Sequence, residues 1–258
     1  MLHDIAELNG LVPNGTDGEI GTIDDVYFSD DTWTIRYLVI DAGSWLASRK
    51  VLVTPRAVRA IDHARGALQL DLSRSQVEKS PDFDSEKPVS RQFESDYHSY
   101  YEYPFYWAGP YLWGGSGYPA PPGSPVGAPP DDAGDEVRER LERERTGTDP
   151  HLRSAQEIGG YAIEAIDGSI GHLETFLFDD ATWAIEAVVI DTRNWWPGKH
   201  VVVSPRHMEA IDWSERRVRV GLTRERIKAA AEYEPHVHTG SARDERVRAI
   251  RHALHFGD

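Results

Sequence analysis

Asp17-Gly18-Glu19-Ile20-Gly21 returns as Asp167-Gly168-Ser169-Ile170-Gly171, 150 residues further along the chain. The same spacing pairs Thr32-Trp33 with Thr182-Trp183, Val39-Ile40-Asp41 with Val189-Ile190-Asp191, and Trp45 with Trp195. It also pairs Pro55-Arg56 with Pro205-Arg206, and Ala60-Ile61-Asp62 with Ala210-Ile211-Asp212, with no gap between Asp17 and Val77. A constant interval held over that many positions marks a duplicated module. Each copy is therefore read as a unit in its own right.

Within a copy, apolar runs are short and turn residues frequent. Asp17-Gly18 suits a hairpin, because glycine takes the positive φ that such turns need. Trp33 to Ile40 is rich in β-branched and aromatic residues, as strands are. Trp33, Ile35, Tyr37 and Val39 share one face, and Leu38 and Ile40 make the other face apolar near its end. Lys50–Val53 is a further strand, halted by Pro55. Ala57–Ile61 and Leu68–Leu72 flank an Asp62–Gly66 turn. This spacing predicts an all-β chain of two small antiparallel β-barrels. A short helix closes each copy. Ser73 with Gln76 forms the capping-box pattern, whereas Thr223 has Arg226 where the reciprocal acceptor would stand.

The resulting organisation is a first barrel at 1–87, a linker at 88–150, a second barrel at 151–235 and a tail at 236–258. The linker opens on an aromatic cluster running from Phe93 to Trp113. Gly114–Pro130 reads as a flexible or polyproline spacer. Asp135–Arg145 reads as a short charged helix, with Glu136–Arg140 and Glu139–Arg143 four residues apart. In the tail, Val247, Ile250 and Leu254 fall on one helical face, and Gly257 can end that helix.

The chain has 258 residues, a net charge of −15 and no cysteine. The negative balance disfavours direct contact with nucleic acid, which needs a positive footprint. Lack of cysteine removes disulfides, thiolate nucleophiles and cysteine-ligated metals. The amino terminus lacks a basic start and long apolar core, and no apolar run approaches the ~20 residues of a membrane span. A soluble cytoplasmic protein is the expectation.

The ordered set of Asp-Gly-x-Ile-Gly, a Trp-led strand ending Val-Ile-Asp, a Trp-bearing loop and Val-x-Val-(Thr/Ser)-Pro-Arg resembles the PRC-barrel domain, and it occurs twice. The stretch Phe93-Glu94 to Trp107 is similar to the tail that often follows single-copy members. The resemblance implies a compact antiparallel barrel of about six strands, used as a docking module in a ribosome-maturation factor and in the photosynthetic reaction-centre H subunit. It carries over no catalytic residues. It implies an accessory role in ribosome or photosynthetic-complex assembly as one alternative.

Candidate sites follow from what recurs. Asp17, Asp167, Asp41 and Asp191, with Arg56 and Arg206, read either as turn-forming and ion-pairing residues or as an acid/base or metal-binding set of an enzyme. The first reading is preferred, because an identical catalytic site in two such small modules is a poor expectation. No catalytic, cofactor-binding or metal-ligating residue is assigned. His236, His238, His252 and His255 have ligand-like spacing but lie in a polar tail. Gly114-Gly115-Ser116-Gly117 lacks the strand-to-helix setting of a phosphate loop. Trp45, Trp195 and Trp196 sit in loops as candidate partner anchors. Tyr100, Tyr101, Tyr106, Trp107 and Trp113 are candidates from the linker, which either wraps a barrel or recognises a partner. The functional expectation is a non-enzymatic protein-binding or scaffolding protein with a protein partner and no cofactor. Arg36 in one copy corresponds to Glu186 in the other, which suggests an intrachain pseudo-dimer with complementary charges.

Overall fold

The computed structural model describes residues 1–84, 89–120, 152–192, 199–233 and 250. The charged helix expected at 135–145, Trp195, Trp196 and the tail histidines lie outside these residues, as does the tail helix apart from Ile250. The strands are β1 (Leu2–Asp4), β2 (Val12–Gly15), β3 (Gly18–Glu19), β4 (Thr22–Ser29), β5 (Thr34–Asp41), β6 (Lys50–Val53), β7 (Val58–Asp62) and β8 (Ala67–Leu70). They are followed by β9 (Leu152–Ser154), β10 (Ala162–Ala165), β11 (Gly168–Asp179), β12 (Ile185–Asp191), β13 (His200–Val203), β14 (Met208–Asp212), β15 (Arg217–Val220) and β16 (Glu232–Tyr233). Three helices matter for function: α1 (Arg74–Glu78), α2 (Arg91–Tyr100) and α3 (Arg224–Lys228).

The chain divides into two compact units. One holds Glu7–Ser154 with Ala181–Trp183 and is built on the first repeat. The other holds Met1–Ala6, Ala155–Asp180 and Ala184–Asp258, and is built on the second. These boundaries differ from division at 87 and 150. Each unit takes its outermost strand from the head of the other repeat: β9 pairs with β4, Tyr27 opposite Ser154, and β1 pairs with β11, Leu177 opposite Asp4. The two registers correspond at the 150-residue interval, so the duplication extends to the exchanged strands.

The expectation of closed antiparallel barrels needs correction. The first-repeat unit carries two four-stranded sheets, ordered β3-β2-β8-β7 and β6-β5-β4-β9, and the second a single open sheet. The pairs β2–β8 and β10–β15 run parallel. The physical reason is connectivity: β8 returns beside β2 only after five intervening strands, so it need not reverse direction as a hairpin partner must. The repeated Ile-Gly marks a close approach of backbone to backbone. A Cβ at Gly21 would lie 2.0 Å from the carbonyl oxygen of Asp41, and one at Gly171 would lie 2.1 Å from that of Asp191. Only glycine lets the two strands approach there.

The cores follow the sequence pattern closely. β5 is buried along nearly its whole length, on both faces, rather than only in its second half. Trp33 and Trp183 do not begin strands. Both sit in turns with left-handed backbones, φ 48° and 59°, and the strands start after them. Ser73 completes its capping box with Gln76, and Thr223 receives only the Arg226 amide.

Candidate functional site: a face covered by an aromatic strap

The largest departure from a plain linker is residues 90–120, which fold onto the first-repeat unit. Ser90 caps α2 by accepting from the Phe93 amide at 3.1 Å. The helix was not foreseen, because its aromatic run offers no clean helical stripe; Ser90 was the available signal. After α2 the chain turns at Tyr111–Gly114, where paired backbone hydrogen bonds of 3.1 Å close a tight turn. Gly114 adopts φ 77° there, so the glycine serves the strap's own geometry.

Three polar layers fix this strap. The first is a buried cluster on α2. The Tyr106 hydroxyl donates to Glu94 Oε1 at 2.7 Å, and Arg91 Nη1 lies 3.0 Å from both Glu94 Oε2 and the Tyr106 oxygen. The Tyr37 hydroxyl, on β5, lies 2.9 Å from Glu94 Oε1 and 3.1 Å from His98 Nε2. His98 Nδ1 faces the Pro104 carbonyl at 3.1 Å, so Nδ1 carries the proton and Nε2 accepts. The single Tyr37 proton therefore has two acceptors within reach. Burial, with Arg56 and Arg36 nearby, lowers the His98 pKa to about 3 and keeps the ring neutral. Burial also raises Tyr37 and Tyr97 well above the ordinary phenol value.

The second layer is backbone capture by arginine. Arg36 donates to the Leu112 carbonyl and to Thr32 Oγ1, and its guanidinium lies 4.0 Å from the Tyr106 ring centre and 5.1 Å from that of Trp113. Arg56 donates to the carbonyls of Trp113 at 2.7 Å and Ala120 at 2.9 Å. Burial lowers the Arg56 pKa to about 10, and Arg36 beside it adds to the fall. Both are still cations at neutral pH, and both hold peptide oxygens and aromatic faces rather than carboxylates. The third layer is the phenols. Tyr97 accepts from the Thr54 amide at 3.0 Å, and Tyr100 donates to the Gln76 carbonyl at 2.8 Å.

The expected partner anchors separate under this geometry. Trp113 is fully buried, and its indole donates to the Thr182 carbonyl at 2.7 Å. Tyr101 and Tyr106 are also buried, so these three serve the unit's interior and are not surface anchors. The cause is the strap itself, which folds Tyr106 and Trp113 under the arginines and Tyr101 against Tyr97 and Tyr103. Trp45 is half-buried, donates to the Ile20 carbonyl at 2.7 Å and lies under the Arg74 guanidinium. Tyr100 and Trp107 keep part of their surface, and Tyr111, which belongs to the aromatic cluster but not to the candidate anchors, is 60% exposed. Trp107 and Tyr111 border a cavity of about 320 Å³ with Arg36, Arg91 and Asp31.

The repeated acids and arginines do not converge in the first copy. Asp17 accepts from the Arg74 amide at 2.8 Å, and Asp167 from the Arg224 amide at 2.7 Å, the same helix-entry contact in each copy. Asp41 accepts from the Gly43 amide at 2.8 Å. The Arg224 contact holds Asp167 below the usual carboxylate range. Arg36 is used within its own unit, on the strap.

Residues 8–77 match the family model of the PRC-barrel domain, in keeping with the β-rich fold. The match covers the first repeat. No curated protein matches the chain. Among solved structures, the chain is similar to a Pseudomonas aeruginosa protein described as a 16S ribosomal RNA processing protein, RimM. The identity is 23% over 27% of this chain and 43% of that one, with a TM-score of 0.23. The chain thus corresponds to less than half the length of that protein. Among the described residues, no helix is long and apolar enough to cross a membrane.

Proposed function

We propose that this protein is a non-catalytic binding and scaffolding protein whose modules hold aromatic polypeptide segments on one face. The observation that carries this reading is the capture of Trp113: Arg56 takes its carbonyl, Arg36 and Arg56 lie against its ring, and the indole is fully buried. Tryptophan and arginine are the residue types that dominate protein–protein hot spots. The first-repeat unit thus contains, in one chain, a receptor face and its ligand. The use of Asp17, Asp41 and Asp167 as turn acceptors favours binding over the acid/base alternative.

The test is quantitative capture by the purified full chain from native lysate, compared with the surface variants Trp107→Ala and Tyr111→Ala and with Asp17→Asn/Asp167→Asn. The expected result is a stoichiometric protein partner retained by the parent and by the Asp variant. Retention of no protein by the full chain, under conditions where it stays folded, overturns the reading.

A further inference from the structure

The two edges that take the exchanged head strands differ in the side chains that meet them. β1 lies on β11 with Leu2 opposite Asp179, and β9 lies on β4 with Leu152 opposite Ser29, the same register in each unit. In the second unit Asp4 Oδ1 accepts from the Thr175 hydroxyl at 2.5 Å, and Asp4 Oδ2 from the Tyr233 hydroxyl at 3.0 Å. In the first unit the direction is reversed: the Ser154 hydroxyl donates to Asp25 Oδ2 at 2.5 Å. At the 150-residue interval Ser154 is the counterpart of Asp4, and Thr175 the counterpart of Asp25. We propose that positions 4, 25, 154 and 175 form an address that sends each head strand to the other repeat. The β11 edge selects a head that carries a carboxylate, and the β4 edge a head that carries a hydroxyl. This address is independent of what the protein binds.

Placing each head on its own repeat shows what the address avoids. At the register that both junctions share, Asp4 would meet Asp25, and Ser154 would meet Thr175. Asp4 and Asp25 are both buried where they stand. An ionised carboxylate accepts hydrogen bonds and donates none, so that junction would set two acceptors of like charge across a strand pair. The second donor to Asp4 would be lost as well, because the counterpart of Tyr233 is Phe83, which has no hydroxyl. Bulk points the same way. Leu2 packs in one cluster with Leu177 and Ala187, and the counterparts of those two are Tyr27 and Tyr37. Ser154 discriminates less, since a hydroxyl can pair with Thr175 as well as with Asp25. The acid at position 4 therefore carries most of the selectivity.

Other head contacts fasten without choosing. His3 Nε2 lies 3.1 Å from Asp180 Oδ2, and Arg153 Nε donates to Asp30 Oδ2 at 2.7 Å. Asp30 and Asp180 are counterparts, so either repeat offers an aspartate to either basic side chain. Discrimination lies in the difference between matched and mismatched partners, and only the hydroxyl–carboxylate junction supplies one. The signal is in the combination of head and edge, not in either strand alone.

The chain has no cysteine, so an introduced pair reports where a head lies. In the full chain, Leu2→Cys/Asp179→Cys reads the exchanged place of the first head, and Leu2→Cys/Ser29→Cys reads its place on its own repeat. Leu152→Cys/Ser29→Cys reads the exchanged place of the second head. Each chain is gently oxidised and its bridge quantified by peptide mass spectrometry. With the natural address, positions 2 and 179 should bridge, as should 29 and 152, whereas 2 and 29 should not. Ser154→Asp should lower the bridge between 29 and 152 about tenfold or more. Adding Asp25→Thr makes that junction a copy of the other and should restore the bridge. Exchanging the addresses with Asp4→Ser/Ser154→Asp should raise the bridge between 2 and 29 at the expense of that between 2 and 179. A bridge within one chain or between two counts alike, since either obeys the match. Circular dichroism establishes that each chain is folded, and if the address-exchanged chain is not, the Asp25→Thr rescue decides. Failure of that rescue, or an undiminished bridge between 2 and 179 in the folded address-exchanged chain, overturns the proposal: connectivity alone would then place the heads.

Discussion

The two repeats share a backbone and part company over a handful of side chains on one face. In the first copy, Arg36 and Tyr37 reach from β5 into the strap. In the second, the same positions are Glu186 and Ala187, and Ala187 packs with Val189, Val202, Leu2 and Ile250 instead. So where the first copy buries tyrosines and a neutral histidine, the second buries methyl groups, with Ile250 from the tail among them. The shared positions are those that set curvature and turns: Gly21 and Gly171, Asp17 and Asp167, Pro55 and Pro205. Duplication has preserved the frame, and what each frame carries on that face has diverged.

The comparison is tested most severely by writing one copy's residue into the other. Arg36→Glu places a carboxylate against the Leu112 carbonyl and removes the cation from two aromatic faces. Leaving a buried charge without its partners costs about 3–5 kcal/mol, so the first-repeat unit should unfold at markedly lower urea while the second keeps its own transition. Domain-resolved hydrogen exchange separates the two. Equal loss in both units would mean the strap does not belong to one copy.

Tyr37→Ala writes in the residue of Ala187 and should cost slightly less. Truncating a buried aromatic ring costs about 3–5 kcal/mol, and here Glu94 Oε1 and His98 Nε2 also lose the hydroxyl that faces them. Chemical denaturation of the full chain gives the number. A change under about 1 kcal/mol would mean that the Glu94–His98 cluster does not depend on β5.

His98 gives the first-repeat unit a pH signature. Its folded pKa, about 3, lies below the unfolded value near 6.5, so the unfolded chain binds the proton first. The sign follows: stability is fully present above pH 6.5 and falls as the pH drops toward 3. At pH 5 the loss should be about 2 kcal/mol, concentrated in the first-repeat unit. Tyr37, Arg56, Arg36 and the Pro104 carbonyl all surround the ring, so the comparison of interest is with His98→Gln. That variant should flatten the slope between pH 6.5 and 5, read as urea midpoints at each pH. A parallel slope in parent and variant removes His98 as the cause.

How much of this was legible follows from the kind of signal each feature leaves. Period-two apolar runs and Asp-Gly turns placed β4 to β8 to within a few residues, because those patterns are local, whereas β1, β9 and β16 were not read. Sheet order was not legible. Whether β8 returns parallel beside β2 depends on where long connections lead the chain. Nothing in the strand itself records that. The strap was half legible: its aromatic content announced buried area, and wrapping was one of two open readings. Its fastening by Arg36 and Arg56 was not visible, since an arginine that will hold carbonyls looks the same in sequence as one awaiting a carboxylate. The substitutions Arg36/Glu186 and Tyr37/Ala187 were visible from the start, and became informative only once the strap was seen to lie over one of them.

The smallest expected effect lies at the closing helices. Ser73 accepts from the Gln76 amide at 3.2 Å, and Gln76 Oε1 accepts from the Ser73 amide at 2.9 Å, so both donors at the start of α1 are served. Thr223 accepts from the Arg226 amide at 3.3 Å, and arginine has no acceptor to return. Ser73→Ala should therefore cost about 1 kcal/mol, and Thr223→Ala about half that. Yet Gln76 also offers its carbonyl to Tyr100, so α1 is tied to the strap as well as to its cap. If the strap braces α1, the measured loss for Ser73→Ala will fall below that of Thr223→Ala despite the better cap. The order of the two values thus reports whether the cover stabilises the module it covers, or only occupies it.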